Sequence, residues 1–253
     1  IVATSTNCTF TTITNSGTVT GNDYVGGIVG SVDSCVMSSI TNKVKITGNS
    51  IVGGLVGASE NGEIKTSSSN LGTVESVNGN VGGIVGLSKT TNIYGTYSNR
   101  IINEGQVYAT SNVAENIGGI IGYAVFNGGT INYCQNEGQV GRTGQNTKNV
   151  GGIIGLSETS LSNCDCYASS VYGGTYVGGI IGKITPGETL IGANTATVSD
   201  CLNGAEIKAT YDYVGGIVGS AKAATISDCS SSGSVQGRNY VGGQAGEVTG
   251  ISK

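Results

Sequence analysis

Val25-Gly26-Gly27-Ile28-Val29-Gly30 decides the fold, because the chain returns to this hexapeptide seven more times. The further copies are Val52–Gly57, Val81–Gly86, Ile117–Gly122, Val150–Gly155, Val177–Gly182, Val214–Gly219 and Val241–Gly246. Successive copies start 27, 29, 36, 33, 27, 37 and 27 residues apart. The shortest spacing recurs three times, so it marks the bare unit and the longer spacings carry insertions. A second segment precedes each hexapeptide, clearest in Ile131-Asn-Tyr-Cys134-Gln-Asn136-Glu-Gly138-Gln-Val140 and Ile226-Ser-Asp-Cys229-Ser-Ser-Ser-Gly233-Ser-Val235. Its last apolar residues are Val19, Ile46, Val74, Val107, Val140, Val171, Ile207 and Val235. Asn stands four residues earlier in six of the eight units (Asn15, Asn42, Asn70, Asn103, Asn136, Asn203). Gly17, Gly72, Gly105, Gly138 and Gly233 stand two residues earlier.

This unit favours strands. Its apolar residues are mostly Val and Ile, which are stiff at χ1 and suit a pleated surface. Three glycines per hexapeptide would each cost a helix about 0.5–1 kcal/mol, and no window holds a helical stripe. The Asn-x-Gly step reads as a corner, since both residues tolerate left-handed backbone. One unit cannot bury its own apolar side, but stacked units can, at about 4.8 Å per coil and roughly 40 Å for eight. The expectation is an all-β, single β-solenoid: β-helix-like, right-handed, with about eight glycine-rich coils over 1–253. Insertion loops are expected near 87–98, 108–116, 141–149 and 183–197, the last holding the lone proline, Pro186. Two adjacent apolar residues in the hexapeptide (Ile28 and Val29) pose a question for a strand, where strict alternation would expose one column. Either a bend turns both inward, or an apolar stripe packs against a partner domain. The degenerate last copy, with Gln244 in place of Ile or Leu, suits an open end that must be blunted.

Composition excludes several classes. The 253 residues include 45 glycines, one proline, no histidine and no tryptophan. With 11% charged residues and a net charge of -4, no basic face for nucleic acid is expected. Every apolar run is interrupted, so no membrane insertion is expected. The chain opens Ile1-Val2-Ala3 without an initiator methionine or signal peptide, as expected of a processed form or an excised piece.

The paired motifs, Ile-x-x-Cys-x-Asn-x-Gly-x-Val and Val-Gly-Gly-Ile-Val-Gly, resemble the GLUG motif of bacterial surface and secreted proteins, from about Cys8 to Gly246. That family's repeats occur in adhesin-like proteins and beside the protease domain of some IgA-cleaving peptidases. The resemblance implies an extracellular bacterial scaffold, secreted or at the cell surface. Its partners would be a host or bacterial surface protein or glycan, and neighbouring domains of a larger protein. It implies no particular ligand.

The candidates for chemistry are few. Cys134, Cys164, Cys201 and Cys229 share one repeat position, which Ile13, Ile40 and Ile101 occupy elsewhere, while Cys8 and Cys35 share another. Buried thiols acting as small hydrophobes, disulfides between adjacent coils, and a weak zinc reading around Cys164-Asp165-Cys166 are the alternatives. The glycines fit neither a P-loop nor a dinucleotide fingerprint, and read as backbone approach or bulges. Asp200 with Asp228, and Glu104 with Glu137, should stack on neighbouring coils, as solvated charges, an acid/base pair or a weak cation site. Without histidine, the usual protease triads and histidine-ligated zinc are unavailable. Tyr24, Tyr176, Tyr213 and Tyr240 immediately precede the hexapeptide, so Tyr213 and Tyr240 should stack. They offer either a platform for sugars or peptide side chains, or a ladder shielding the corner. The expected protein is a non-catalytic structural or adhesive module without cofactor. Tyr213, Tyr240, Tyr176 and Pro186 are its candidate contacts, with a passive stalk beside a protease domain as the alternative and a polysaccharide-active β-helix enzyme as the less favoured one.

Overall fold

The computed structural model describes residues 2–125, 129–185 and 196–250. All strand pairs are parallel and run between successive copies of the repeat, so the chain is a β-solenoid of about eight coils. One coil has four faces, as in Val29–Asp33, Val36–Asn42, Ile46–Gly48 and Ser50–Gly53. The first face is a continuous nine-stranded sheet from Val2–Thr6 to Ala245–Thr249, and the fourth holds eight strands. The second face folds along a corner that most coils break into two short strands, such as Glu63–Ile64 and Ser69–Asn70.

The repeat alignment is the strand register. Val25, Val52, Val81, Ile117, Val150, Val177, Val214 and Val241 pair in one file. Val19, Ile46, Val74, Val107, Val140, Val171, Ile207 and Val235 pair in another, with Val140 joined by single bridges alone. The hexapeptide is a corner between two faces: Val25-Gly26 ends the fourth and Val29-Gly30 opens the first. That bend points both middle residues inward, leaving Ile28 1% and Val29 0% exposed, so the hexapeptide presents no outer apolar stripe. Gln244 in the last copy is exposed.

The corners are built differently from the sequence expectation. Left-handed backbone falls on other residues, including Tyr24, Ile51, Asn80, Asn116, Asn149, Tyr176, Tyr213 and Tyr240 just before each hexapeptide, at φ between 44° and 65°. The Asn-x-Gly residues do not adopt it. Their asparagines instead point into the core and form an amide ladder. Asn15 Nδ2 donates to Asn42 Oδ1 (2.9 Å), Asn42 to Asn70 (2.7 Å), Asn70 to Asn103 (2.8 Å) and Asn103 to Asn136 (2.7 Å). The same Nδ2 groups of Asn42, Asn70, Asn103 and Asn136 also donate to a carbonyl two residues on. Each amide thus closes its own corner and grips the next coil.

The glycines are explained by crowding. A Cβ on Gly105 would stand 1.9 Å from the Gly72 carbonyl oxygen of the coil before. One on Gly54 would stand 2.0 Å from the Gly83 oxygen and 2.5 Å from Asn70 Cγ. The Gly-Gly corner therefore lies directly against the amide ladder, and the two motifs of the repeat meet across the core.

Asn103→Ala removes two rungs and leaves neighbouring buried amides without partners, which should cost about 2–4 kcal/mol. Glu104→Ala, exposed and next in sequence, should change stability by less than about 0.5 kcal/mol. Urea unfolding of both variants compares them; equal losses would remove the ladder from this account.

Candidate functional site

The left-handed residue ahead of each hexapeptide carries its side chain outward, so like residues in this file meet along the rod. Asn80, Asn116 and Asn149 link by side-chain hydrogen bonds of 2.7 and 2.8 Å. Tyr176, Tyr213 and Tyr240 continue the file as a ring stack. Their centroids lie 5.0 and 4.7 Å apart, with interplanar angles of 20° and 3°. The stack thus has three members rather than the expected two, because Tyr176, Tyr213 and Tyr240 precede three consecutive hexapeptides. Tyr24 stands apart at the other end, half exposed. Pro186, with residues 186–195, lies outside the described residues.

Stacking face to face hides most of the π surface. Tyr213 is covered on both sides, and Lys183 Nζ sits 4.5 Å from the Tyr176 ring. What remains open is the outer face of Tyr240, 60% exposed, and the ring edges. Beside it runs a polar row. Arg238 holds Asp212 through two bonds of 3.1 Å, Asn239 Nδ2 donates to Asp212 Oδ1 (2.9 Å), and the Arg238 guanidinium lies 5.2 Å from the Tyr211 ring. Arg238, then Asn239, hold the Asp212 carboxyl below the usual carboxylate range. The hexapeptide pattern by itself does not single these residues out. The signal was present: Tyr211-Asp212-Tyr213 and Arg238-Asn239-Tyr240 precede adjacent hexapeptides at the same offset.

The carboxylate candidates do not converge with a base. Asp200 and Asp228 occupy matching left-handed corners and, like Glu104 and Glu137, are exposed. Among the described residues none of these four forms an ion pair with Lys or Arg, and no group of three or more His, Cys, Asp or Glu is placed to hold a metal. A buried pair does exist elsewhere. Arg100 Nη1 lies 3.0 Å from Asp165 Oδ2 and donates to the Asn163 carbonyl (3.1 Å), with side-chain exposures of 15% and 7% for the pair. Arg100 belongs to an excursion at 95–100, within which Thr96 and Asn99 form an antiparallel bridge.

All seven thiols are free. Cys134, Cys164, Cys201 and Cys229 line up on successive coils, the first three fully buried. Cys166 sits instead in the asparagine file, where it receives a long contact from Asn136 Nδ2 at 3.9 Å. Burial pushes the Cys166 thiol up to about 11 and Cys164 well upward. Cys229, at the partly open end of the row, is lowered to about 7 by the neighbouring Cys201 thiol, which is raised in turn.

The model of the Glug family, described as the GLUG motif, matches residues 210–236. That window is one complete turn, running from Thr210 through the hexapeptide corner after Tyr213 to Gln236. The chain therefore carries a GLUG motif, and the strand register extends the same unit through the other coils. No curated protein and no solved structure matches the chain.

Thiol reactivity follows from exposure and thiolate character. At pH 7.5 the native chain should be alkylated at Cys8, which is exposed, and at Cys229, while the other five cysteines react only after unfolding. Peptide mass mapping after iodoacetamide reads this directly. Labelling of Cys164 or Cys201 at a comparable rate would contradict the buried row.

Proposed function

We propose that this β-solenoid is a non-catalytic adhesive module of a secreted or cell-surface bacterial protein. Its contacts with surface glycans or proteins are made by outer edges rather than by the core. The observation that carries this reading is the outward tyrosine stack Tyr176–Tyr213–Tyr240, open at Tyr240 and flanked by Asp212, Arg238 and Asn239. A sugar ring packs its C–H face on an aromatic ring, while carboxylate, guanidinium and amide groups meet its hydroxyls. The open face of Tyr240 and this polar row supply both halves of that chemistry. The uncommitted interior supports the non-catalytic part: it is filled by Ile, Val, thiols and self-satisfied amides.

A second reading, a passive stalk or accessory domain beside a protease, draws support from the uninterrupted nine-stranded first face. A parallel ladder of that length makes a stiff spacer of roughly 40 Å. The two readings separate on a glycan array. A binding module should retain a defined set of glycans, and Tyr240→Ala or Tyr213→Ala should weaken that binding at least tenfold. Binding untouched by both variants would overturn the tyrosine assignment, and an array with no retained glycan would favour the stalk.

A further inference from the structure

The third face is a regular parallel ladder except at one coil. From Val19 to Val107 and from Ser170 to Gln236 it is formed by paired strands, whereas Val140 contributes only isolated bridges. There Gly141, at φ 73°, turns the chain away from the sheet, and residues 142–146 run outside it. The excursion is held in place: Gln145 Nε2 donates to the Ala109 carbonyl (3.0 Å), and Thr210 Oγ1 donates to the Gln145 carbonyl (3.4 Å). The interruption opens a notch of about 250 Å³, lined by Arg142, Thr143, Tyr172, Lys208, Thr210 and Gln236.

The charges of this notch are unevenly committed. Lys208 Nζ lies 2.9 Å from Glu206 and is largely neutralised. Arg142 has no ion pair among the described residues. Its guanidinium instead lies 3.4 Å above the centre of the Tyr108 ring, whose hydroxyl donates to Glu75. Stacking on that ring fixes the plane of the guanidinium, which acts on the Glu75 carboxyl from a distance but makes no ion pair with it. A planar, oriented and unpaired guanidinium matches a carboxylate in a two-bond geometry. Tyr172 adds an aromatic surface, and Thr143, Thr210 and Gln236 add hydroxyl and amide partners. The volume is below the roughly 300–1,000 Å³ of drug-sized ligand sites, which suits one sugar ring.

We propose that the notch under residues 142–146 binds the uronic acid unit of an acidic polysaccharide, with its carboxylate on Arg142 and its ring beside Tyr172. This site is separate from the tyrosine stack, although it deepens the reading of the chain as a glycan-contacting module. The test is calorimetric titration of the whole chain with three probes: a uronic acid trisaccharide, the neutral hexose trisaccharide of the same linkage, and triglutamate. The uronic acid probe should bind, with affinity falling as salt is raised and at least tenfold weaker in Arg142→Gln, an exposed substitution that leaves the fold intact by circular dichroism. The neutral sugar and triglutamate should each bind at least tenfold more weakly. No binding of the uronic acid probe, equal binding of the neutral sugar, equal or tighter binding of triglutamate, or an unaffected Arg142→Gln variant would each overturn the proposal. Glu104→Ala, exposed and part of neither site, should leave this titration unchanged, while the tyrosine variants are read on the glycan array, so a failure here and a failure of the tyrosine assignment are told apart.

Discussion

The distance between coils governs everything else in this molecule. Parallel strands repeat at about 4.8 Å, and a solenoid must hold that spacing at its corners as well as along its flat faces. Corners are the harder part, because backbone groups there lack ladder partners and a side chain can wedge neighbouring coils apart. The chain meets both demands at one place. The buried asparagine file supplies side-chain rungs where the backbone turns, and glycines on either side let the chains close to the required distance. A Cβ on Gly54 would strike both the next coil and the amide of Asn70. The two halves of the sequence motif are thus parts of a single contact, which is why they recur together.

Much of this is legible in the sequence. The spacing of the hexapeptide gave the coil count and the register, residue for residue, because identical side chains in a stacked parallel array must fall in line. The interior place of Cys134, Cys164 and Cys201 was legible too, since Ile101 and Ile40 occupy the same file. The corners were not. Asn tolerates left-handed backbone, yet that conformation went to Tyr24, Ile51, Asn80 and their equivalents, while the asparagines went inside. Local propensity cannot separate those roles, because the deciding partner of each Asn lies one coil away, as much as 33 residues along the chain. The tyrosine stack was visible as a sequence position, but its effect on the available ring surface was not. Only the centroid spacing shows that Tyr213 is covered and that Tyr240 carries the open face.

Because the interior is fixed by stacking, variation is tolerated where it projects outward or where another contact replaces the missing one. The asparagine file illustrates the second case. It runs unbroken from Asn15 to Asn136 and then meets Cys166, whose thiol accepts only a weak, long contact. At that level the buried Arg100–Asp165 pair appears. Arg100 comes from an excursion two coils earlier and reaches the Asn163 carbonyl as well as Asp165, which adjoins Cys166. A charged pair with residual exposure near one-tenth is stabilising only when its geometry is good and its hydrogen bonds are satisfied. Here the 3.0 Å contact and the carbonyl partner meet that condition.

The same logic accounts for where an enclosed notch arises. A coil that keeps the bare spacing presents only short corners and flat sheet, neither of which encloses a ligand. Coils that depart from it must pin the extra residues against their neighbours. The Gly141 excursion does so through Gln145 and Thr210, and the pinning is what turns an insertion into a walled notch. Side chains on such an insertion, Arg142 among them, are then held by the rod rather than by their own short segment. Rigid architecture inside and pinned irregularity outside are therefore two consequences of one stacking distance, and the notch proposed for a uronic acid lies where a coil departs from it without breaking it.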